Sequence, residues 1–562
     1  MTALPELEAH RWTLPRALDA RVVETPDRPF VTTEGEGPQT FAECRTAALA
    51  MAGTLRAAGV GAGDLVAVMA PNCRTAIHAW MGANLLGAAD VMVNTGYRGS
   101  PLEHALNLVQ AKVLLAEARF LGVLREAEPR LEHLKRIVWF RLPDGGDGGG
   151  REPAGFSRVE LVPLESLPSA PPALQGEPEI STLASIIFTS GTSGPAKGVM
   201  IPHAQAYALA LQTVQGLRLT PRDTLYAFHP MFHTAGKFIS LYAGLLSGAR
   251  VVLDRQFRAE RWLARIRESG ASATLAHGAM LEMVHALPAA PDDADNPLER
   301  LMASPFPRRI AADFERRFGV RGVEVWGMTE VNNPCWCPLD EPLRTGTCGK
   351  PNRDWADVRI VDAETDVELP AGQVGELVVR PRRPWTMMQG YIGMPEKTIR
   401  AWRNLWFHTG DAAYADADGW FHFVDRLGDR IRRRAENIPS YEIESAAGLH
   451  PAVRECAALG VPSGYESDDD IKLFVALQPG HAWAPEDLLE HLVRLLPHYM
   501  VPRYFQAVAA LPRTPTNKVM KADLRDAAGD CWDRKAAGVA LRDVARRVGN
   551  TRGASPASEE ST

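Results

Sequence analysis

The sequence predicts an α/β protein. A large N-terminal domain of layered α/β subdomains plus a β-rich piece is followed by a smaller C-terminal domain. Three observations lead there. The chain has 562 residues, too many for one hydrophobic core. Helix and strand patterns alternate through 40–140, as in parallel sheets covered by helices. After Val424 the composition turns sharply charged, from Asp425 to Glu436, which marks a boundary. Residues 41–59 carry apolar side chains at helical spacing and stop at Gly59. Residues 65–70 form a short apolar strand ended by Pro71 and Asn72, 76–86 are helical, and 90–94 are a second strand. A Gly-rich surface loop over 143–155 precedes a compact apolar strand at 183–188. Residues 356–380 alternate apolar and polar (Val358, Ile360; Leu377, Val379), which makes them the β-rich piece. The domains are placed at 1–425 and 426–547. A disordered tail of Gly, Ser, Thr and Glu is expected at 548–562.

Composition narrows the function classes. A net charge of −6 provides no basic field for nucleic acid, and the run from Arg430 to Arg434 reads as a solvated face. Residues 1–16 contain acidic groups and no apolar core, so no secretory signal is expected. No stretch approaches the roughly 18 apolar residues of a membrane span. Seven scattered cysteines, an odd count, point to a reduced, cytoplasmic protein. Cys335, Cys337 and Cys348 lack nearby His and the spacing of structural zinc ligands, so no metal is expected there.

The most informative segment is Thr189, Ser190, Gly191, Thr192, Ser193, Gly194, Pro195, Ala196, Lys197 and Gly198, directly after the apolar strand. Glycines let backbone N–H groups approach phosphate oxygens, hydroxyls add donors, and Lys197 supplies charge. A Walker loop needs Gly before the Lys and Ser or Thr after it. Here the neighbours are Ala196 and Gly198, so that reading fails.

The segment instead resembles the phosphate loop of the adenylate-forming superfamily, which holds acyl-CoA synthetases, luciferases and peptide-synthetase adenylation domains. The resemblance continues in order along nearly the whole chain. Trp326, Gly327, Met328, Thr329 and Glu330 look like its aromatic-Gly-x-Thr-Glu motif. There the ring stacks on adenine, the Thr contacts the AMP phosphate, and the Glu ligates Mg²⁺. Ala303, Ser304 and Pro305 stand where the family has Gly-Ala-Pro against the adenine. Asp411, in Phe407-His408-Thr409-Gly410-Asp411, resembles the ribose-binding Asp, and Arg426 the Arg that reaches ribose or phosphate. Lys518, after Pro512-Arg513-Thr514-Pro515-Thr516-Asn517, resembles the catalytic Lys of the C-terminal domain. Pro230, Met231, Phe232 and His233 match the acyl-pocket segment, with His233 as gate or wall, although a lone His is more often structural. Gly278, Ala279 and Met280 are expected as another pocket wall, with plain core the alternative for Met280.

The resemblance implies a two-step reaction using ATP, Mg²⁺ and CoA. A carboxylic acid is activated as its AMP ester, with Lys518, Thr329, Glu330 and Lys197 stabilising charge. A pantetheine thiol then takes the acyl group. It also implies a mobile α+β C-terminal domain that rotates between the steps, in a monomer or homodimer. The hinge, two residues after Arg426, is Gly428 where relatives have Asp or Lys. With Ala303, Asn517, and Ala435 in Arg432-Arg433-Arg434-Ala435-Glu436-Asn437, it predicts a changed balance between the half-reactions. The run Met394-Pro395-Glu396-Lys397-Thr398 and the Asn404 to Asp411 segment are most similar to the crotonobetaine/carnitine-CoA-ligase-like branch. Loading of a carrier-protein pantetheine and thioesterification of preformed acyl adenylates are the alternatives. The acid itself is not legible, because acyl pockets vary on a constant fold.

Overall fold

Short runs of β-branched and small apolar residues supply the strands, and several are released into helices by a cap or turn. The helix Phe41–Ala57 begins with a capping box. Thr40 Oγ1 accepts from the Glu43 backbone at 3.2 Å, and Glu43 accepts from the Thr40 backbone at 2.8 Å. The computed structural model describes residues 8–143, 155–174, 176–189, 195–308, 310–426, 431–433, 436–438, 440–465, 468–512, 519, 521, 524 and 530–550. The chain divides into two compact units. One comprises Met1–Thr95, Glu103–Thr189 and Lys197–Leu427, and the other Gly96–Leu102, Ser190–Ala196 and Gly428–Thr562.

Among the described residues, the first unit holds three sheets. An eight-stranded sheet runs Gly390–Tyr391, Lys197–Pro202, Leu183–Thr189, Ala89–Met92, Leu65–Met69, Val113–Glu117, Arg136–Phe140, Glu160–Pro163. It is parallel from Leu183–Thr189 to Glu160–Pro163 and antiparallel at the other edge. A nine-stranded sheet places Arg321–Met328, Arg300–Ala303, Ala273–Ala276, Thr224–Ala227, Arg250–Leu253 and Pro29–Thr33 side by side and parallel, flanked by antiparallel strands. The β-rich piece is an antiparallel sheet of Ala356–Val361, Gly375–Pro381, Phe407–Ala415 and Phe421–Arg426. The expected alternation over 40–140 is therefore present. Local pattern could not show that the early strand Pro29–Thr33 pairs with Arg250–Leu253.

The second unit is α+β. Val453–Pro462, Asp469–Leu477, Tyr504–Ala507 and Trp532–Asp533 form its larger sheet, Ile431–Arg433 pairs with Glu436–Ile438, and Ser440–Gly448, Pro485–Leu495 and Leu541–Asn550 are helices. The last helix passes the point, 548, at which the tail was expected to begin. Val544 and Val548, four apart and on one face, are both buried in this unit's core. Residues 551–562, the 144–154 part of the Gly-rich loop, Ser190–Gly194 (190–194), Gly428, Arg434, Ala435, Asn517 and Lys518 lie outside the described residues. Cys335, Cys337 and Cys348 are buried thiols. No helix among the described residues is long and apolar enough to cross a membrane.

A buried ion pair ties the helix after Thr224–Ala227 to the eight-stranded sheet. Lys237, on the wide-turn helix Ala235–Tyr242, contacts Asp90, and both side chains are fully buried. Lys237 Nζ also donates to Ser185 Oγ at 2.6 Å. Asp90 and Ser185 face each other across adjacent parallel strands of the eight-stranded sheet. Burial pushes the carboxyl up and the ammonium down, and each charge opposes the shift of the other. Removing one partner leaves an uncompensated buried charge, which costs about 3–5 kcal/mol. Lys237→Met and Asp90→Leu are each expected to lower the melting temperature sharply. The double variant is expected to recover much of the loss, and a calorimetric melting series checks this.

Candidate active site

Among the described residues, those expected at adenine and ribose lie at one end of the nine-stranded sheet and on the antiparallel sheet that carries Asp411. Trp326 lies near the end of Arg321–Met328, and its Nε1–H donates to Asp411 Oδ2 at 3.2 Å. Two residues far apart in sequence, assigned to adenine and ribose, are thus directly bonded. Asp411 is almost wholly buried. Its N–H donates to Thr409 Oγ1 at 3.0 Å, whose hydroxyl donates to the Leu377 carbonyl at 2.6 Å. Glu376 braces the same strand, accepting from Gly410 N–H at 3.0 Å and from His408 Nδ1 at 2.8 Å. Arg426 is the ladder partner of Asp411.

Beyond Trp326 the strand breaks. A Cβ at Gly327 would overlap the Asn332 carbonyl, so only glycine fits between Trp326 and the turn. Thr329 and Glu330 sit in that turn. Gln205, on the helix His203–Leu217, donates to the Thr329 carbonyl at 2.8 Å and to Asn332 Oδ1 at 3.2 Å. Asn332, at φ +63°, donates to the carbonyls of Gln205 and Thr386 at 3.2 and 3.0 Å. Gln205 and Asn332 are thus positioning residues that the sequence reading missed. Neither belongs to a phosphate or metal pattern, and their pairing spans more than a hundred residues.

Glu330 is buried and accepts the Tyr391 hydroxyl at 3.0 Å through Oε1. Lys197 Nζ lies 4.7 Å from the centre of the Tyr391 ring. Lys197 and Thr189 are ladder partners at the base of the phosphate loop. Tyr391, also unforeseen, links the loop's cation to the carboxylate expected to take a metal.

The acyl-pocket candidates, and the Ala303-Ser304-Pro305 segment expected against adenine, follow the ends of neighbouring parallel strands. Ala303 ends Arg300–Ala303, fully buried and paired with Ala276 and Glu324, and leads into Ser304 and Pro305. Gly278 opens the helix Gly278–His285. Met280 is half-buried against the core around Trp262 and Phe314. Phe232 and His233 have ring centres 4.8 Å apart, and the His233 carbonyl accepts Lys237 N–H at 3.2 Å.

A parallel sheet whose strand ends carry a ring bonded to a buried carboxylate, beside a Thr-Glu turn, is the arrangement expected of a nucleotide-binding α/β enzyme. The AMP-binding enzyme model matches residues 18–392, and the AMP-binding enzyme C-terminal domain model matches 442–518. The chain belongs to the AMP-binding enzyme family. It is 28% identical over 486 residues to a crotonobetaine/carnitine–CoA ligase of Salmonella agona, covering 83% of this chain and 89% of that protein. It is 29% identical over 518 residues to the medium/long-chain-fatty-acid–CoA ligase FadD6 of Mycobacterium tuberculosis, covering 89% and 83%. Among solved structures, o-succinylbenzoate CoA synthetase from Bacillus subtilis superposes with a TM-score of 0.76 at 23% identity, over 93% of this chain and 99% of that one. The amide bond synthetase McbA from Marinactinospora thermotolerans superposes with 0.77 at 25% identity, over 90% and 99%.

Trp326→Phe keeps an aromatic ring and removes the donor to Asp411. Loss of a hydrogen bond to a buried carboxylate is expected to cost about 1–3 kcal/mol. The first unit's melting temperature is expected to fall, and differential scanning calorimetry without ligand checks this.

Proposed function

We propose that this chain is an AMP-forming acyl-CoA ligase that activates a carboxylic acid with ATP and passes the acyl group to CoA. The observation that carries the reading is the bonded pair of Trp326 and Asp411 beside the Thr329-Glu330 turn, with Tyr391 joining Glu330 to Lys197. In the first step a carboxylate oxygen attacks the α-phosphorus and the bond to pyrophosphate breaks. Trp326, Ala303, Ser304 and Pro305 bind adenine, Asp411 and Arg426 the ribose, and Thr189 to Gly194 the leaving phosphates. Lys197, Thr329 and Lys518 donate to oxygens whose charge grows in the transition state. In the second step the CoA sulfur attacks the acyl carbon, AMP leaves with the anhydride oxygen, and the thiol proton is released. The domain 426–547 brings Lys518 for the first step and withdraws it for the second, about Gly428.

The donor set fits a magnesium ion carried in by the nucleotide. Glu330 offers one buried carboxylate, and among the described residues no three His, Cys, Asp or Glu side chains could hold a metal. Magnesium is typically held by one or two carboxylates together with substrate phosphates. When bound, it neutralises phosphate charge, and Glu330 is the residue that would hold it. The acceptor is CoA in the cytoplasm, and a carrier-protein pantetheine is the alternative thiol.

Lys518→Ala is expected to slow acid-dependent pyrophosphate release about 10²–10³-fold, the size of losing one charge-stabilising donor. Thioester formation from supplied acyl-AMP is expected to persist. Equal loss of both rates would sink the assignment of Lys518 to the first step. The same two rates in the unmodified protein measure the balance attributed to Gly428, Ala435, Ala303 and Asn517.

A further inference from the structure

Three adjacent parallel strands run out at one place. Thr224–Ala227 leads into Phe228 and His229, Ala273–Ala276 into His277, and Arg300–Ala303 into Ser304. The carboxyl ends of such strands are where open parallel sheets bind ligands. His229 is only 2% exposed, and neither of its ring nitrogens has a hydrogen-bond partner among the described residues. A neutral imidazole carries one N–H donor and one bare acceptor nitrogen, and buried polar groups normally find partners.

The position of the ring is enforced from several sides. Phe228 stacks on it at 4.7 Å, and His277 meets it edge-on at 4.8 Å. The His229 carbonyl accepts Asn72 Nδ2 at 2.9 Å, and Asn72 Oδ1 accepts Met231 N–H at 3.0 Å. Gly236 approaches the carbonyls of His229 and Pro230 so closely that any Cβ there would overlap them. His277 Nδ1 donates to the Ser304 carbonyl at 3.2 Å, in the expected adenine wall. His229 therefore joins the two segments assigned to the acyl pocket, the one carrying Phe232 and His233 and the one opened by Gly278. Burial, and then the neighbouring His277 and His233, hold its pKa well below the usual histidine range, so the ring is neutral.

We propose that His229 determines specificity: its neutral imidazole recognises a hydroxyl group carried by the substrate acid away from the carboxylate. A hydroxyl both donates and accepts, so it matches either ring nitrogen. The substrate class is then a hydroxy acid, aliphatic or phenolic, and not an unsubstituted hydrocarbon acid. A site that hydrogen-bonds a hydroxyl rejects the analogue lacking it more strongly than an apolar pocket rejects an added hydroxyl. The inference rests on the acid-activating reading above.

The test uses the full chain and pairs of acids of equal length, with a hydroxyl or a methyl group walked along the chain or ring. Binding in the presence of AMP is measured by calorimetry, and pyrophosphate release with ATP is measured on the same acids. At the matching position the unmodified protein is expected to prefer the hydroxy acid by about tenfold or more. His229→Leu is expected to abolish that preference while keeping affinity for the methyl partner and the melting temperature. His229→Asn, which keeps a donor and an acceptor, is expected to restore part of it. Equal treatment of both members of every pair, or an equal loss on both in His229→Leu, would overturn the proposal. Release without discrimination overturns the role of His229 and leaves acid activation standing. Discrimination in binding without release supports His229 and overturns acid activation.

Discussion

The buried contact of Lys237 with Asp90 and Ser185 is the constraint on which the rest of the first unit depends. Lys237 lies on the helix that follows the Pro230-Met231-Phe232-His233 segment, while Asp90 and Ser185 lie in the middle of the other sheet. An ammonium cannot be left in an apolar interior without a partner, so the helix Ala235–Tyr242 must lie where Lys237 reaches Asp90 and Ser185. Ser185 belongs to the strand that delivers Thr189 to the phosphate loop. The same contact therefore sets the Pro230-Met231-Phe232-His233 segment relative to the strand that ends at Thr189. Asn72 adds a second link, from the turn after Leu65–Met69 to the carbonyl of His229.

Given that packing, the site follows from topology. Parallel strands expose their final residues at a common edge, so Phe228 with His229, His277, Ser304 and Trp326 gather there although they span a hundred residues of sequence. The antiparallel sheet of Ala356–Val361, Gly375–Pro381, Phe407–Ala415 and Phe421–Arg426 contributes Asp411, which the Trp326 indole then meets. Polar groups inside the molecule are bonded in short chains: Gln205 with Asn332, Glu376 with His408 and Gly410, Tyr391 with Glu330. Such chains hold side chains in one orientation, which a charge-stabilising site requires.

Much of this was legible in the sequence, for identifiable reasons. The helix 41–59 and the strands near 65, 90 and 183 are written in local periodicity, which survives without tertiary knowledge. The Trp326 to Glu330 turn and the segment ending in Asp411 are combinations of glycine, hydroxyl and charge that ordinary surface turns do not assemble. Gln205, Asn332 and Tyr391 were not legible, because each acts through a partner distant in sequence. The extension of the last helix past 548 was missed because polar neighbours around two valines four residues apart masked a buried stripe.

The sequence by itself determined the α/β class, the run of nucleotide motifs and the two-step chemistry they imply, since these depend on residue type and short spacing. Tertiary structure alone decided that Trp326 bonds Asp411, that Tyr391 lies between Lys197 and Glu330, and that His229 is buried against His277. Those facts depend on which strands lie side by side. That choice is made by burial over the whole unit and by the charge of Lys237, and no local pattern carries it.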